Sequence, residues 1–262
     1  MNPRRVYGVL LQEAFLTLHS LEVIVDVFVF PLVNIVIFGL ISLYLSGGDE
    51  SKAGPYVFLG MLLWQVIAIV AYSVAVGSMW NIWSRNLSNM FVSPLRVSEY
   101  VGAQFLSGCV KALGLIVLGA GLGIWFFDFN VFAIGALNVA LVFVVLALFG
   151  LAIALVSLGL IFRFGTRLAA LSWSLPWLFQ PLSAAFFPLS YLPSAMQWIA
   201  RALAPTYGFE AAREALEHGG VDWQLFALGL TLDFAYCAAA VLFFRYMFKK
   251  SKESGQLARN ES

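Results

Sequence analysis

Long apolar runs alternate with short polar interruptions along the 262-residue chain. About 20 apolar helical residues cross a bilayer. Six runs are long enough, near 21–45, 56–80, 100–127, 131–162, 168–187 and 225–247, and each is expected to be a membrane helix. The fourth is too long for one straight crossing, so tilting or extension past the bilayer near Arg163 is expected. Residues 3–20 follow another pattern. Tyr7, Leu11, Ala14 and Leu18 share one helical face and Arg5, Gln12 and His19 another, which suits an amphipathic helix lying along the membrane surface. Residues 188–224 form the longest interruption. Pro188, Pro193 and Pro205 cut it into pieces too short to span. Residues 194–203 and 206–217 read as short helices, the second with Glu210–Arg213 and Arg213–Glu217 at helical pair spacing. Backbone at membrane depth must be shielded from lipid, so a broken hairpin is expected, either re-entrant or resting in the outer leaflet. The fold class is all-α integral membrane, one transmembrane domain over 1–262 with six spans.

The polar stretch Asn81–Tyr100, NIWSRNLSNMFVSPLRVSEY, separates the second and third spans. Leu87, Met90 and Phe91 stand at i, i+3 and i+4, so they share a face; Arg85, Ser88 and Asn89 fall elsewhere. Ser93-Pro94 is expected to end this short helix and begin the next, with Ser93 as cap and Pro94 in the first turn. The reading is a compact apolar knob at the membrane surface between two long helices.

Composition agrees. The chain is 61% hydrophobic and 11% charged with mean hydropathy +0.89, where soluble domains carry about 25% charged residues. Net charge of +1 makes no electrostatic case for nucleic acid. Arg4, Arg5, Arg85, Arg96, Arg163, Arg167, Arg245, Lys249, Lys250, Lys252 and Arg259 fall on one side of the six-span arrangement; Lys52, Arg201 and Arg213 fall on the other. The positive-inside rule then puts both termini and 81–98 in the cytoplasm, with Ser46–Gly54 and 188–224 outside. The polar tail 248–262 reads as a disordered topology anchor. Four charges lie in or near the spans: Glu22, Asp26, Lys111 and Asp233. Glu22 is near enough to the interface to reach water. Asp26 and Lys111 are expected to pair, since a buried charge needs a partner or a wet cavity. Asp233 stands alone in the outer half of the sixth span. The glycines of Gly119-Ala-Gly-Leu-Gly123 allow close helix approach, within the chain or between copies. Cys109 and Cys237 sit in apolar runs and read as packing residues. GxxxxGK[ST], HExxH and GxSxG are absent, and His19 and His218 fall on opposite sides of the membrane. The expectation is a chain that is not an enzyme and binds no metal or cofactor itself.

Two stretches carry a resemblance. SRNLSNMFVSPLRVSEYVGAQ is similar to the loop between the second and third membrane helices of type-2 ABC exporter permeases, where a short coupling helix docks on a separate ATPase. FFPLSYLPSAMQWIARALAPTYGFEAAREAL resembles the same family's broken outer segment after helix five, matching at Pro188, Leu192-Pro193, Pro205-Thr-Tyr207, Glu210 and Arg213. The resemblance implies a plasma-membrane (cell inner membrane) permease homodimer with two cytoplasmic ABC ATPase subunits, which would hold ATP and Mg. It implies ATPase docking through Arg85, Leu87, Met90, Phe91, Pro94, Leu95 and Arg96. It implies a substrate path at the dimer interface, with Phe30, Phe38, Tyr44, Trp64, Tyr72, Trp173 and Trp177 as candidate lining. The first span lacks the basic, tyrosine-rich entry of the family's polysaccharide exporters, which puts a glycan substrate in doubt. A secondary transporter or channel, and a membrane scaffold without transport, are the other classes this composition admits.

The charge bias makes a direct prediction. Cysteines placed at Ser51 and Gly219, in a background lacking Cys109 and Cys237, are expected to react with an impermeant reagent added to intact cells, and one at Ser88 is not. Labelling of position 88 from outside reverses the orientation.

Overall fold

The computed structural model describes residues 2–47 and 53–255; the side chains of Leu87, Ser88, Phe91 and Thr166 lie outside that description, as does most of the acidic loop 46–54. The described residues form helices and turns, without a strand. We number the helices α1 Pro3–His19, α2 Leu21–Ser46, α3 Ala53–Trp83, α4 Leu87–Val92, α5 Val97–Phe126, α6 Ala136–Phe164, α7 Ala170–Phe179, α8 Ser194–Ala202, α9 Ala204–His218 and α10 Trp223–Glu253. Five of them, α2, α3, α5, α6 and α10, are long and apolar enough to cross a membrane.

The bundle is built around α3. Its most apolar window is 89% buried, because α2, α5, α6 and α7 all pack on it. Small residues set how closely they approach. Gly119 of α5 faces Leu62 and Ile35, and Gly123 faces Phe58, so the GxxxG pattern serves packing within the chain; Gly121 faces open space. Gly60 of α3 lies directly under the Ala185 carbonyl, where any Cβ would overlap it.

The fourth apolar run sheds its first residues into a turn, and its helix of 29 residues still runs past Arg163 to Phe164, as its length led us to expect. Val131–Ile134 is a 3-10 turn, Gly135 takes φ +87°, and α6 starts at Ala136. A left-handed φ is open to glycine without a Cβ penalty. The tail departs from expectation. α10 stays helical to Glu253, held to the end of α6 by Ser251 Oγ–H donating to the Phe162 carbonyl and by Arg163 Nη1 donating to Ser254 Oγ at 2.9 Å. Residues 256–262 lie outside the described residues.

The fifth apolar run is not one long helix. α7 has ten residues, about 15 Å at 1.5 Å per residue, half of a bilayer core. It stops at Gln180 because Pro181 has no N–H and its ring would clash with the Trp177 carbonyl. The chain then turns through 180–187, with Ala184 at φ +52°. The expected hairpin follows and packs inside the bundle rather than on it. Gly208 of α9 meets Val145 and Leu146, nine to ten residues into α6, and Phe209 stacks on Trp64 with centroids 6.3 Å apart.

Backbone carbonyls freed by this break find one partner. Arg213, 4% exposed, donates through Nη2 to the Ala184 carbonyl at 2.8 Å and through Nη1 to Ala185 at 3.3 Å. Nη2 also pairs with Glu210 Oε1 at 3.0 Å, and that oxygen accepts Leu189 N–H at 2.7 Å. Burial lowers the Arg213 pKa, while the Glu210 carboxylate beside it acts in the opposite direction. The Pro205-Thr-Tyr207 segment closes the end of α8: Tyr207 OH donates to Arg201 O at 2.8 Å, and Tyr236 OH of α10 donates to Ala202 O at 2.6 Å. Arg213→Met strips these carbonyls and Glu210 of their donor and is expected to cost about 3 kcal/mol, read as loss of thermal stability in detergent. Arg213→Lys keeps the charge without the planar fork and should recover only part.

Candidate functional site

The polar stretch between α3 and α5 is fixed at both ends. α3 ends with Asn86 N–H donating to Asn81 O at 2.9 Å and Arg85 N–H donating to Ile82 O at 3.0 Å, the paired bonds of a Schellman stop. Glycine usually occupies the left-handed position of that motif; here it is Arg85, at φ +54°. α4 follows directly. Ser93 does not cap α5 as the sequence suggested. Its hydroxyl donates back to the Met90 carbonyl and closes α4, while α5 begins at Val97, four residues later, with the N–H of its N-cap Arg96 bound to Glu99 Oε2 at 3.0 Å. The Ser-Pro pair leaves the backbone extended, so the next helix starts where a side-chain acceptor is available. Glu99, which the sequence reading passed over, joins three segments. It also accepts Asn2 N–H at 2.7 Å and faces Arg5 Nη1 at 3.6 Å, and Arg5 donates to the Pro94 carbonyl. Its signal was visible as an acid at the third position of a helix.

The apolar face is only partly free. Met90 and Leu95 pack against a core cluster of Val9, Met79, Tyr100 and Phe162. Leu87 and Phe91 have side chains outside the description. Arg85, Pro94 and Arg96 are exposed, and so is Val92, at 87%. Val92 is an exposed apolar side chain that the i, i+3, i+4 pattern did not select.

The intramembrane charges pair differently from the expected Asp26–Lys111 couple. Lys111 Nζ lies 3.5 Å from Glu13 Oε2, and Asp26 Oδ2 accepts Tyr72 OH at 2.9 Å. The reason is the placement of α1. It runs along α5 with Glu13 1% exposed, while Tyr7, Phe15 and Leu18 point outward. From Tyr7 onward its outer stripe is apolar apart from His19, and its bundle side sets Glu13, Gln12 and Thr17 beside Val9 and Leu16. There Gln104 Nε2 donates to Glu13 Oε1 at 2.8 Å, Gln12 Nε2 to Asn81 Oδ1 at 2.7 Å and Asn81 Nδ2 to Tyr100 OH at 3.1 Å. Ser20 lets α1 and α2 meet, its N–H closing one helix and its hydroxyl capping the other. Glu22 is exposed in the first turn of α2. Asp233 is fully buried in α10, and its carboxylate oxygens make no hydrogen bond among the described residues.

Four of the seven candidate aromatics come together. Phe30, Tyr72, Trp173 and Trp177 line a cleft of about 260 Å³ between α2, α3 and α7 that also holds Asp26. Asn34, Gln65 and Ser172 complete its polar lining, and nothing in the sequence pattern singled them out. The other three lie elsewhere. Trp64 is fully buried against Phe209, Phe38 stacks on Phe186 at 4.9 Å, and Tyr44 is 84% exposed. Trp64 was misplaced because the sequence did not reveal that α9 packs inside the bundle. Asp26 sits on a π turn, Val25–Val29, just before Pro31. Proline removes one helix hydrogen bond and crowds the carbonyl four residues back, and the wider turn relieves that crowding.

Among the described residues there is no cluster of three or more metal-ligating side chains. Long apolar helices packed in one bundle define a multi-pass membrane protein. The family model described as ABC-2 type transporter matches residues 7–216, and the chain belongs to that family. The match runs from α1 into α9 and includes both the α4 loop and the aromatic cleft. Members of this family are membrane transport components that normally work with an ATPase partner. No curated protein matches the chain.

The buried Glu13–Lys111 pair is expected to behave as a unit. Glu13→Gln or Lys111→Met alone leaves one buried charge without its partner, at a cost of about 3 kcal/mol. The double variant should cost less than the two single losses summed, measured as thermal stability in a double-mutant cycle. Additive losses would separate the two residues.

Proposed function

We propose that the chain is the permease subunit of an ATP-driven exporter in the plasma membrane, with both termini and α4 on the cytoplasmic side. Two copies would form the substrate path at their interface, and a cytoplasmic ATPase would drive it through α4. The chain itself would carry no catalytic group or cofactor; ATP and Mg would be held by the ATPase. The observation that carries this reading is the double anchoring of α4. One end follows a hydrogen-bonded stop on α3, and the other is tied through Pro94, Arg5 and Glu99 to α1 and α5. A segment that passes force from a partner to membrane helices needs such stiffness. A helix resting among lipid headgroups does not. The basic residues of the same end, including Arg85 and Arg96, support the cytoplasmic placement.

Apolar anchors dominate interface energies, and rim charges contribute less. Leu87, Phe91 and Val92 would be the anchors, with Arg85, Pro94 and Arg96 at the rim. Phe91→Ala and Val92→Asp are expected to reduce co-purification of the ATPase, or transport per ATP hydrolysed, at least about tenfold. Arg96→Ala should do less. All three proteins should insert normally, since none of the positions lies in a long apolar helix. Wild-type association and coupling in both Phe91→Ala and Val92→Asp would refute docking through α4.

A further inference from the structure

The cleft between α2, α3 and α7 has a chemical bias. Its walls are aromatic: Phe30, Trp173 and Trp177 are 58%, 38% and 47% exposed, and Tyr72 stands behind them. Its only charged lining residue is Asp26. One carboxylate oxygen accepts Tyr72 OH at 2.9 Å; the other makes no hydrogen bond among the described residues. None of the lining residues is Lys, Arg or His. Lys111, the cation expected to neutralise Asp26, is committed to Glu13 and lines no part of the cleft. A half-buried carboxylate without a cation is an electrostatic deficit that a positively charged ligand would fill. Ring faces carry negative charge density and attract cations, most strongly where water is excluded.

We propose that this cleft binds a monovalent organic cation, a compact onium head carrying apolar arms, with Asp26 as counter-ion and Trp173, Trp177 and Phe30 as the aromatic walls. A quaternary head needs only a charge and ring faces, so a quaternary probe reads Asp26 and the aromatic walls apart from the hydrogen-bond acceptors that Asn34, Gln65 and Ser172 also offer. The cleft volume, about 260 Å³, fits a head group rather than a whole drug-sized ligand. Its open side leaves the arms room toward lipid or a second copy. The assignment of this cation as cargo rests on the permease reading; the binding itself does not.

The test uses the full chain in lipid nanodiscs without the ATPase, against empty discs. Benzyltrimethylammonium is titrated by NMR beside neopentylbenzene, its neutral isostere. Wild type is expected to bind the cation at least about tenfold more tightly than the isostere. Asp26→Asn, which keeps a side-chain acceptor for Tyr72 and removes the charge, should lower cation affinity about tenfold and leave the isostere unchanged. Trp177→Leu, on a half-exposed ring that takes no part in the Asp26–Tyr72 hydrogen bond, should also weaken the cation; it carries the test should Asp26→Asn fail to fold. Equal affinity for cation and isostere, or full cation affinity in a folded Asp26→Asn or in Trp177→Leu, overturns the proposal. Loss of ATPase association with cation binding intact would remove only the permease reading. Normal coupling without cation binding would remove only this site.

Discussion

Backbone polar groups cannot be left open in a low-dielectric bundle, and one side chain meets that constraint where this fold breaks its helices. The Arg213 fork holds the Ala184 and Ala185 carbonyls while its own charge is balanced by Glu210. That contact lets the fifth apolar run stop halfway at Pro181 and turn back, leaving space that α8 and α9 fill. The packing of Trp64 on Phe209 and the contact of Gly60 with Ala185 follow from it. So does the short α7, which presents Trp173 and Trp177 beside α2. A longer fifth helix would carry a different set of side chains past the cleft.

The other end of the bundle is organised by α1. A helix that turns Tyr7, Phe15 and Leu18 outward and carries Glu13 and Gln12 inward suits a lipid surround, where an apolar stripe can face the solvent and inward polar residues satisfy each other. Glu13 offsets the charge of Lys111, and Gln12 and Gln104 extend the network to α3 and α5. Through Arg5 and Glu99 the same helix holds the start of α5 and the exit from α4. A displacement of α4 would therefore be felt by α1, α3 and α5 together. This shared anchoring connects the proposed docking segment to the proposed path, since Tyr72 lies on α3 itself, about three turns above Trp83.

Much of this molecule could be read from hydrophobic pattern alone. Runs of about 20 apolar residues favour a spanning helix in a bilayer, so the long helices near 21–45, 56–80, 100–127, 131–162 and 225–247 were legible, as was the short helix at Leu87–Val92; the run 168–187 was not, because Pro181 stops its helix halfway. The prolines of 188–224 gave the broken hairpin, and helical spacing gave the Glu210–Arg213 pair. The tertiary structure alone decided the partners. Asp26 found Tyr72 and Lys111 found Glu13 because α1 lies along α5, a placement with no local sequence signal. Trp64 went to the core and Trp177 to the cleft although both are aromatics within apolar runs, because burial depends on which helix lies opposite. Pattern along a chain fixes which residues must leave water. Which of them meet is set by how the helices cross, and that is a property of the packed bundle.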